Sequence, residues 1–504
     1  MVIRLLAMAF ALIIGRVGPA MHEQLVVAQT AEPGSLDPLL LTGTPAEEIG
    51  SLVYSYLVQI DDRGRLVPDL ALRVPSQANG DIARDGRTIV YHLRHDVRWH
   101  DGVRFTARDV IATYRAVMDA RNPVPTRLGF DQVQAIDALD DETIRVRLRA
   151  PFAPFLTYFF ETENYPILPA HVLARTGSLV ASTLSTAPIG TGPYIVTRWK
   201  HGDALELAAN SRYFGGTPKI ERLVLRFVGN AQTIVELLQT GEADAYLAAD
   251  PAFVDRLRAN PRLRVTTVPI YGFEALAMQT SDRALRDPRV RRAIAHAFDV
   301  ARDLRRTAHG ALRTADAGRA LFTTAYVPQR ITPGDPRLLP VHLTLAVDAS
   351  RSLERELAVQ FQDEVRDAGL DLEIVPYAPQ QFLAPLSERG PIESGRYQLA
   401  LVPILTGADP ETSWLLACNQ IPPEGFNITR YCNPAVDRAL RDALGTFDQA
   451  RRNRDYAIVQ AAIARDVPLV MLWQTREVEA LPARLHGFTG SPETPWYGVE
   501  RWSL

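Results

Sequence analysis

Apolar positions recur along this chain with two different periods, and the points where the period changes mark the elements. Between Thr88 and Arg94, Ile89, Tyr91 and Leu93 alternate with Thr88, Val90, His92 and Arg94, the period-2 pattern of a half-buried strand. Asp101-Gly102 then supplies a tight turn. After Phe105, Thr106 stands as the cap of a helix whose apolar positions Val110, Ile111, Tyr114 and Val117 recur at helical spacing. Upstream, Leu25 to Gln29 reads as a strand, Glu32 to Pro38 as a turn-rich break, and Pro45 to Leu57 as a helix.

Downstream, Ile144 to Leu148 is another alternating strand before an aromatic segment, Pro151 to Tyr165. The breaks in Pro188 to Pro193 impose a turn, followed by strands beginning at Tyr194, Ala204 and Arg222. A helix over Ala231 to Leu238 is then closed by Gly241. Val268 to Met278 is extended and apolar, and a helix opens at Asp287-Pro288 and carries Ala297, Phe298 and Asp299. From Leu343 the order is strand, helix (Leu353 to Ala368, with Gly369 as C-cap), strand (Asp371 to Val375) and a helix near Gln380. That run predicts a parallel or mixed α/β lobe. Tyr397 to Ile404 and Pro468 to Trp473 read as buried strands flanking helices at Pro434 to Leu444 and Ala450 to Asp466.

A length of 504 residues is too great for one core and predicts two or three lobes. The net charge of -3, without a basic stripe, excludes nucleic acid as an expected partner. At the N-terminus, Arg4 precedes an apolar run from Leu5 to Ile14 that is too short to span a bilayer, and Gly18-Pro19-Ala20 offers small residues for cleavage. A signal peptide over residues 1–20 is therefore expected, the alternative being a buried first helix. No other stretch is apolar enough to cross a membrane.

The run from Gly86 reads G-x-(strand)-L-R-x-x-V-x-W-H-D-G-x-x-F-T-A-x-D-V. It closely resembles the signature of family 5 extracytoplasmic solute-binding proteins, the oligopeptide- and dipeptide-type binding components of ABC importers. Further blocks resemble the same family: Leu36-Asp37-Pro38, Gly190-Thr191-Gly192-Pro193-Tyr194, Asn210 with Tyr213-Phe214, Gly241-Glu242 with Asp244, and Asp287 to Ala293. Gln279 stands where the family usually has Asn. The resemblance implies an α/β, periplasmic-binding-protein-like fold (class II, cluster C), with two large lobes joined by a hinge and a smaller extra domain. The expected division is lobe I over 21–50, 181–268 and 479–504, the small domain over 51–180, and lobe II over 269–478. It also implies a monomer in the periplasm that delivers a solute to an ABC permease with its ATPase subunits, needing no cofactor.

Peptide-binding relatives hold the ligand ammonium with an aspartate three residues before an Asp-Pro or Glu-Pro pair, because a buried cation needs an opposite charge. Here that position is Thr406, with Pro403 in the neighbouring tryptophan position. Thr406 can hydrogen-bond but cannot neutralise charge. Free-amine peptides are thus expected to bind poorly or to have their amine held elsewhere. Asp409 is expected to cap the loop or a helix, or to act as a displaced anchor. The ligand contacts expected beside Thr406, Gly407 and Asp409 are Thr42 and Thr44 from the loop before the first helix, and the planar Tyr271, Phe273, Trp414 and Trp473. For Trp473, inside an apolar strand, a core position is the favoured reading.

His92, His95 and His100 with Asp96 and Asp101 match no ligand spacing for a metal, and none is expected. Cys418 and Cys432 are the only cysteines, so no lipid-attachment cysteine follows the leader. In an exported chain they are expected to form a disulfide, as dipeptide-binding relatives resemble this one in carrying such a pair. Two free thiols are the alternative. No hydrolase, phosphate-loop or dinucleotide motif occurs, and no enzymatic activity is expected. A hydrolase built from scattered residues, or a ligand sensor or chaperone on the same fold, is the alternative function.

Overall fold

The computed structural model describes residues 23–41, 44–162, 164–176, 178–298, 334–335, 337, 342–367 and 369–504. The expected leader, Thr42, Asp299 and Ala368 lie outside the described residues. In chain order the strands are β1 (Gln24–Gln29), β2 (Val58–Ile60), β3 (Leu66–Pro68), β4 (Thr88–His92), β5 (Val133–Asp140) and β6 (Thr143–Leu148). Next come β7 (Tyr194–Lys200), β8 (Ala204–Ala209), β9 (Arg222–Phe227), β10 (Tyr246–Ala249) and the 16-residue β11 (Leu263–Met278). The last are β12 (His342–Asp348), β13 (Asp371–Tyr377), β14 (Leu399–Leu405) and the 14-residue β15 (Leu469–Pro482).

They form a four-stranded sheet ordered β1-β9-β8-β7, a six-stranded sheet ordered β10-β15-β11-β14-β12-β13, and the smaller sets β2-β3 and β4-β6-β5. The predicted βαβ run is observed: β12 and β13 are parallel, joined through the helix Ser352–Asp367. Gly369, at φ +89°, ends that connection in the left-handed conformation that a residue without Cβ adopts at low cost.

Two long antiparallel strands organise the molecule. At one end β11 pairs Leu263 to Pro269 with Pro482 to Arg476 of β15, beside β10. At the other end it pairs Phe273 to Ala277 with Gln474 to Leu469, beside β14. The chain crosses between lobes once in each strand. Between the two ladders, residues 270–272 stand opposite Thr475 alone, a bulge that interrupts the pairing. The sequence pattern ended the last strand at Trp473, whereas β15 runs on to Pro482. β11 pairs with Gln474, Arg476 and Glu477, and β10 joins on the other side at Val478 and Ala480, so the strand continues through a polar stretch whose composition reads as a break.

The first helix is also shorter than its pattern. It spans Thr44–Val53, and the expected continuation to Leu57 is not helical. Tyr56 N–H donates to the Asp69 carboxylate at 2.7 Å and Leu57 N–H to Phe160 O at 2.8 Å, so tertiary partners replace the helical ones. The helix near Gln380 is a single turn, Pro379–Phe382, and the helix Pro288–Ala297 ends at Phe298 as its C-cap.

One continuous core joins the four-stranded sheet to the region carrying β2 to β6: Leu25 and Leu205 share a cluster with Ile89, Phe130 and Trp502. Lobe II has separate cores on the two faces of its sheet, one around Phe273 and Ile404, the other around Leu345 and Trp473.

The two glycines of the Gly190-Thr191-Gly192 turn are required by close approach. A Cβ on Gly190 would lie 1.7 Å from Val53 O, and one on Gly192 would lie 2.6 Å from Val53 C. His100 braces this turn. Its Nε2–H donates to Gly192 O at 3.1 Å, while Nδ1 accepts from Gly190 N–H at 3.3 Å, which defines a neutral ring. Burial holds its pKa down at about 4, although the hydrogen bond to Gly192 acts to raise it. The two most recognisable sequence blocks thus contact one another as scaffold. The histidine–carboxylate contacts elsewhere are separate from one another, among them His92 with Asp81 and His171 with Asp101, and no metal-competent cluster occurs among the described residues.

Candidate functional site

Where β14 leaves the six-stranded sheet, Leu405 to Pro410 form a loop that faces the β2–β6 region across a cleft. Thr406 N–H donates to Tyr271 O at 2.9 Å, which ties the loop to the bulge in β11. Two cavities flank the loop. One, of about 260 Å³, has Leu128, Thr157 and Tyr158 on one wall and Thr406, Gly407, Asp409, Glu411 and Trp414 on the other. The second, of about 360 Å³, lies between Gly64, Gln77 and Leu156 on one side and Asp409, Phe447 and Arg452 on the other. Thr157, Ala408 and Asp409 line both, so the loop divides one cleft into two compartments.

Four of the residues picked from the sequence, Thr406, Gly407, Asp409 and Trp414, are therefore neighbours in one cavity wall. Tyr271 joins them through its backbone, and its hydroxyl reaches toward the Asp61–Arg65 turn, 2.7 Å from the point a Cβ on Gly64 would occupy. Phe273 and Trp473 are not brought to the cleft. They are 0 % and 3 % exposed inside the two cores of lobe II, where an aromatic ring removes more apolar area from water than it would at a cavity mouth. Thr44 opens the first helix, and its side chain, like all of Thr42, lies outside the described residues.

Asp409 is engaged in a bidentate ion pair. Its Oδ1 and Oδ2 accept from Arg452 Nη2 and Nη1 at 2.6 and 2.9 Å, with the side chains 10 % and 7 % exposed. Its expected capping role falls instead to Glu411, whose Oε1 accepts from Ser413 N–H at 2.7 Å and from the Ser413 hydroxyl ahead of the turn Ser413–Leu416. Glu411 is 8 % exposed. Burial raises its pKa to about 7 against the lowering effect of the two Ser413 hydrogen bonds; the charge of Asp409 adds to the rise and Arg452 opposes it. Trp414 Nε1–H donates to the backbone carbonyl of Glu411 at 3.2 Å, which ties the indole to this segment.

Sequence reasoning missed Glu411, Arg452, Tyr158 and Phe447. A signal existed for Arg452: it falls at helical spacing with Tyr456, Val459 and Ile463 on the buried stripe of the helix Gln449–Asp466, so it needed a buried anionic partner. Below the loop, Cys418 and Cys432 form a disulfide, and Asn427 Nδ2 donates to Tyr431 O within the closed segment and to Ala417 O just before it.

The family model for bacterial extracellular solute-binding proteins, family 5 Middle, matches residues 65–318, just over half of the 504 residues. Protein XP55 of Streptomyces lividans is 26% identical over 498 residues, covering 94% of this chain and 87% of that protein. The glutathione-binding protein GsiB of Pectobacterium atrosepticum is 26% identical over 486 residues, covering 94% and 92%. The crystal structure of the ABC transporter substrate-binding protein CtaP of Listeria monocytogenes superposes with a TM-score of 0.83 at 22% identity, covering 95% of this chain and 99% of that one. Two lobes linked by paired crossing strands, the expected motif blocks and the match over half the chain lead to one conclusion: this chain belongs to the family 5 extracellular solute-binding proteins, the substrate-binding components of ABC importers.

Proposed function

We propose that the protein captures an unaltered solute outside the cytoplasm, in the cleft on either side of Leu405 to Pro410, and presents it to the permease of an ABC importer. The observation that carries this reading is the coincidence of the cleft with the boundary between the small domain and lobe II: both cavities have residues of the β2–β6 region on one side and residues of lobe II on the other. Among the described residues β11 and β15 carry the chain between the lobes, and their pairing is broken where residues 270–272 stand opposite Thr475 and shifts again between Glu274 and Ala275, which supports closure about this level. In this reading residues 21–50, 181–268 and 479–504 work as lobe I, 51–180 as the small domain that walls the cleft, and 269–478 as lobe II. Thr42 and Thr44 stay as contacts from the loop before the first helix, and the mature protein acts as a periplasmic monomer.

With threonine at position 406, no salt bridge forms from that position to a ligand ammonium, so the mode of anchoring differs from that of an aspartate-bearing peptide binder. Native mass spectrometry of the exported protein tests the proposal, with solution scattering before and after removal of the copurified solute. An intact solute and a more compact liganded form are expected. A single rigid body that binds nothing saturably overturns the reading, and turnover of the bound solute replaces it with an enzyme.

A further inference from the structure

The 260 Å³ cavity contains one acidic group whose charge is not already matched. Asp409 is held by both terminal nitrogens of Arg452. Glu411 makes no ion pair among the described residues, and both of its hydrogen bonds, from Ser413 N–H and Oγ–H, end on Oε1. Oε2 accepts no hydrogen bond there and is not sealed from solvent, in a residue that lines the cavity. A carboxyl that is nine-tenths buried with one open oxygen is costly to leave unmatched, and a cationic partner removes that cost. The indole of Trp414, hydrogen-bonded to the Glu411 backbone and lining the same cavity, adds a surface that attracts cations by its π face.

We infer that Glu411 receives the positive charge of the solute, and that the ligand is accordingly an organic cation carrying an ammonium or guanidinium group. This rests on the solute-capture reading above and gives it a substrate class. Glu411 supplies from within the same wall what Thr406 cannot. The groups around it are Asp409 and Arg452, already paired with each other, Tyr456 behind Arg452, Ser413 on its own segment, and Tyr158 on the opposite wall. Of these, only Glu411 combines an unmatched charge with a titration near neutrality. A bound cation favours the ionised carboxyl, so binding releases a proton below about pH 7, and affinity falls as the pH drops.

The test is calorimetric titration of the full mature chain with three probe sets: monocations (Ala-Phe C-terminal amide and phenethylamine), their neutral N-acetyl forms, and their anionic N-succinyl forms. Saturable binding is expected for the cations alone, with phenethylamine affinity rising about tenfold per pH unit between about pH 5 and 6.5, and a proton released in paired-buffer measurements. Glu411→Gln is expected to weaken cation binding about 30-fold or more and to flatten the pH dependence, while Glu411→Asp keeps the pH dependence. Should the glutamine variant fail to fold, the pH slope and proton release of the unaltered protein decide alone. Equal binding of neutral or anionic probes, or cation binding indifferent to pH or to Glu411→Gln, overturns the assignment and leaves solute capture standing. No saturable binding in any set overturns solute capture itself and the assignment with it.

Discussion

Lobe II touches the β2–β6 region through the loop between the helices Pro434–Leu444 and Gln449–Asp466, and removing the Phe447 ring should release that contact. The ring packs against the core shared by lobe I and that region. It lies 3.1 Å from the point a Cβ on Gly86 would occupy, next to Pro151, and beside it Ala153 N–H donates to Leu444 O at 2.8 Å. A fully buried Phe→Ala change costs about 3–5 kcal/mol, and for this partly buried ring about 1–2 kcal/mol is appropriate. Because the ring meets its partners only while the lobes are docked, that loss falls on the docked state rather than on the folding of either lobe. At about 1.4 kcal/mol per decade, the docked population relative to the open one should drop about five- to thirtyfold. The Ala153 amide reports this directly, since its acceptor is on the other lobe. Hydrogen exchange in Phe447→Ala should speed up by that factor at Ala153, with amides in the middle of β11 unchanged and a scattering profile shifted toward the extended form. Unchanged protection at Ala153, with superimposable scattering profiles, would refute the argument that this loop holds the lobes together.

Three other perturbations have determinate signs. Arg452→Met leaves the Asp409 carboxylate buried without its partner and should cost about 3–5 kcal/mol in urea unfolding, much of it recovered in the Arg452→Met/Asp409→Leu double variant; equal losses in single and double variants would count against the pair. Replacing Cys418 and Cys432 by Ser opens a loop of sequence separation 14 and should lower stability by about 3 kcal/mol, read as a shift of the urea midpoint; no shift would deny the bond a stabilising role. Glu479 is 0 % exposed on β15, and burial with the neighbouring Glu477 raises its pKa from 4.5 to about 8 despite a hydrogen bond from Ala248 N–H. The folded state therefore keeps a proton that the unfolded chain loses, so stability is greatest below about pH 4.5, falls as the pH rises to about 8, and is level beyond. Glu479→Gln should remove that slope and gain on the order of 3 kcal/mol relative to the parent at about pH 8.5 but little at pH 4.5; parallel pH profiles for the two proteins would contradict it.

Local chemistry determined most of the elements. The alternation at Thr88 to Leu93, the cap at Thr106, Gly369 after a long helix and Asn433-Pro434 before another each act within a few residues, so the sequence alone carries them. The motif blocks also identified the family, because a run as long as Leu93 to Val110 constrains many positions at once. Part of the candidate site was legible for the same reason: Thr406, Gly407, Asp409 and Trp414 are near neighbours in sequence and remain so in one cavity wall.

What only the tertiary structure decided depends on partners far away in the chain. The first helix stops at Val53 because Asp69 and Phe160 offer hydrogen bonds to the residues after it, and β15 continues past Trp473 because β10 and β11 pair with it. Phe273 and Trp473 are apolar on any reading, but only the stacking of helices on both sheet faces turns them away from the cleft. The charge balance of the site is a tertiary fact in the same sense. Arg452, forty-three residues along the chain, neutralises Asp409 and leaves Glu411 as the unmatched acid, since electrostatic pairing follows distance in space and not spacing in sequence.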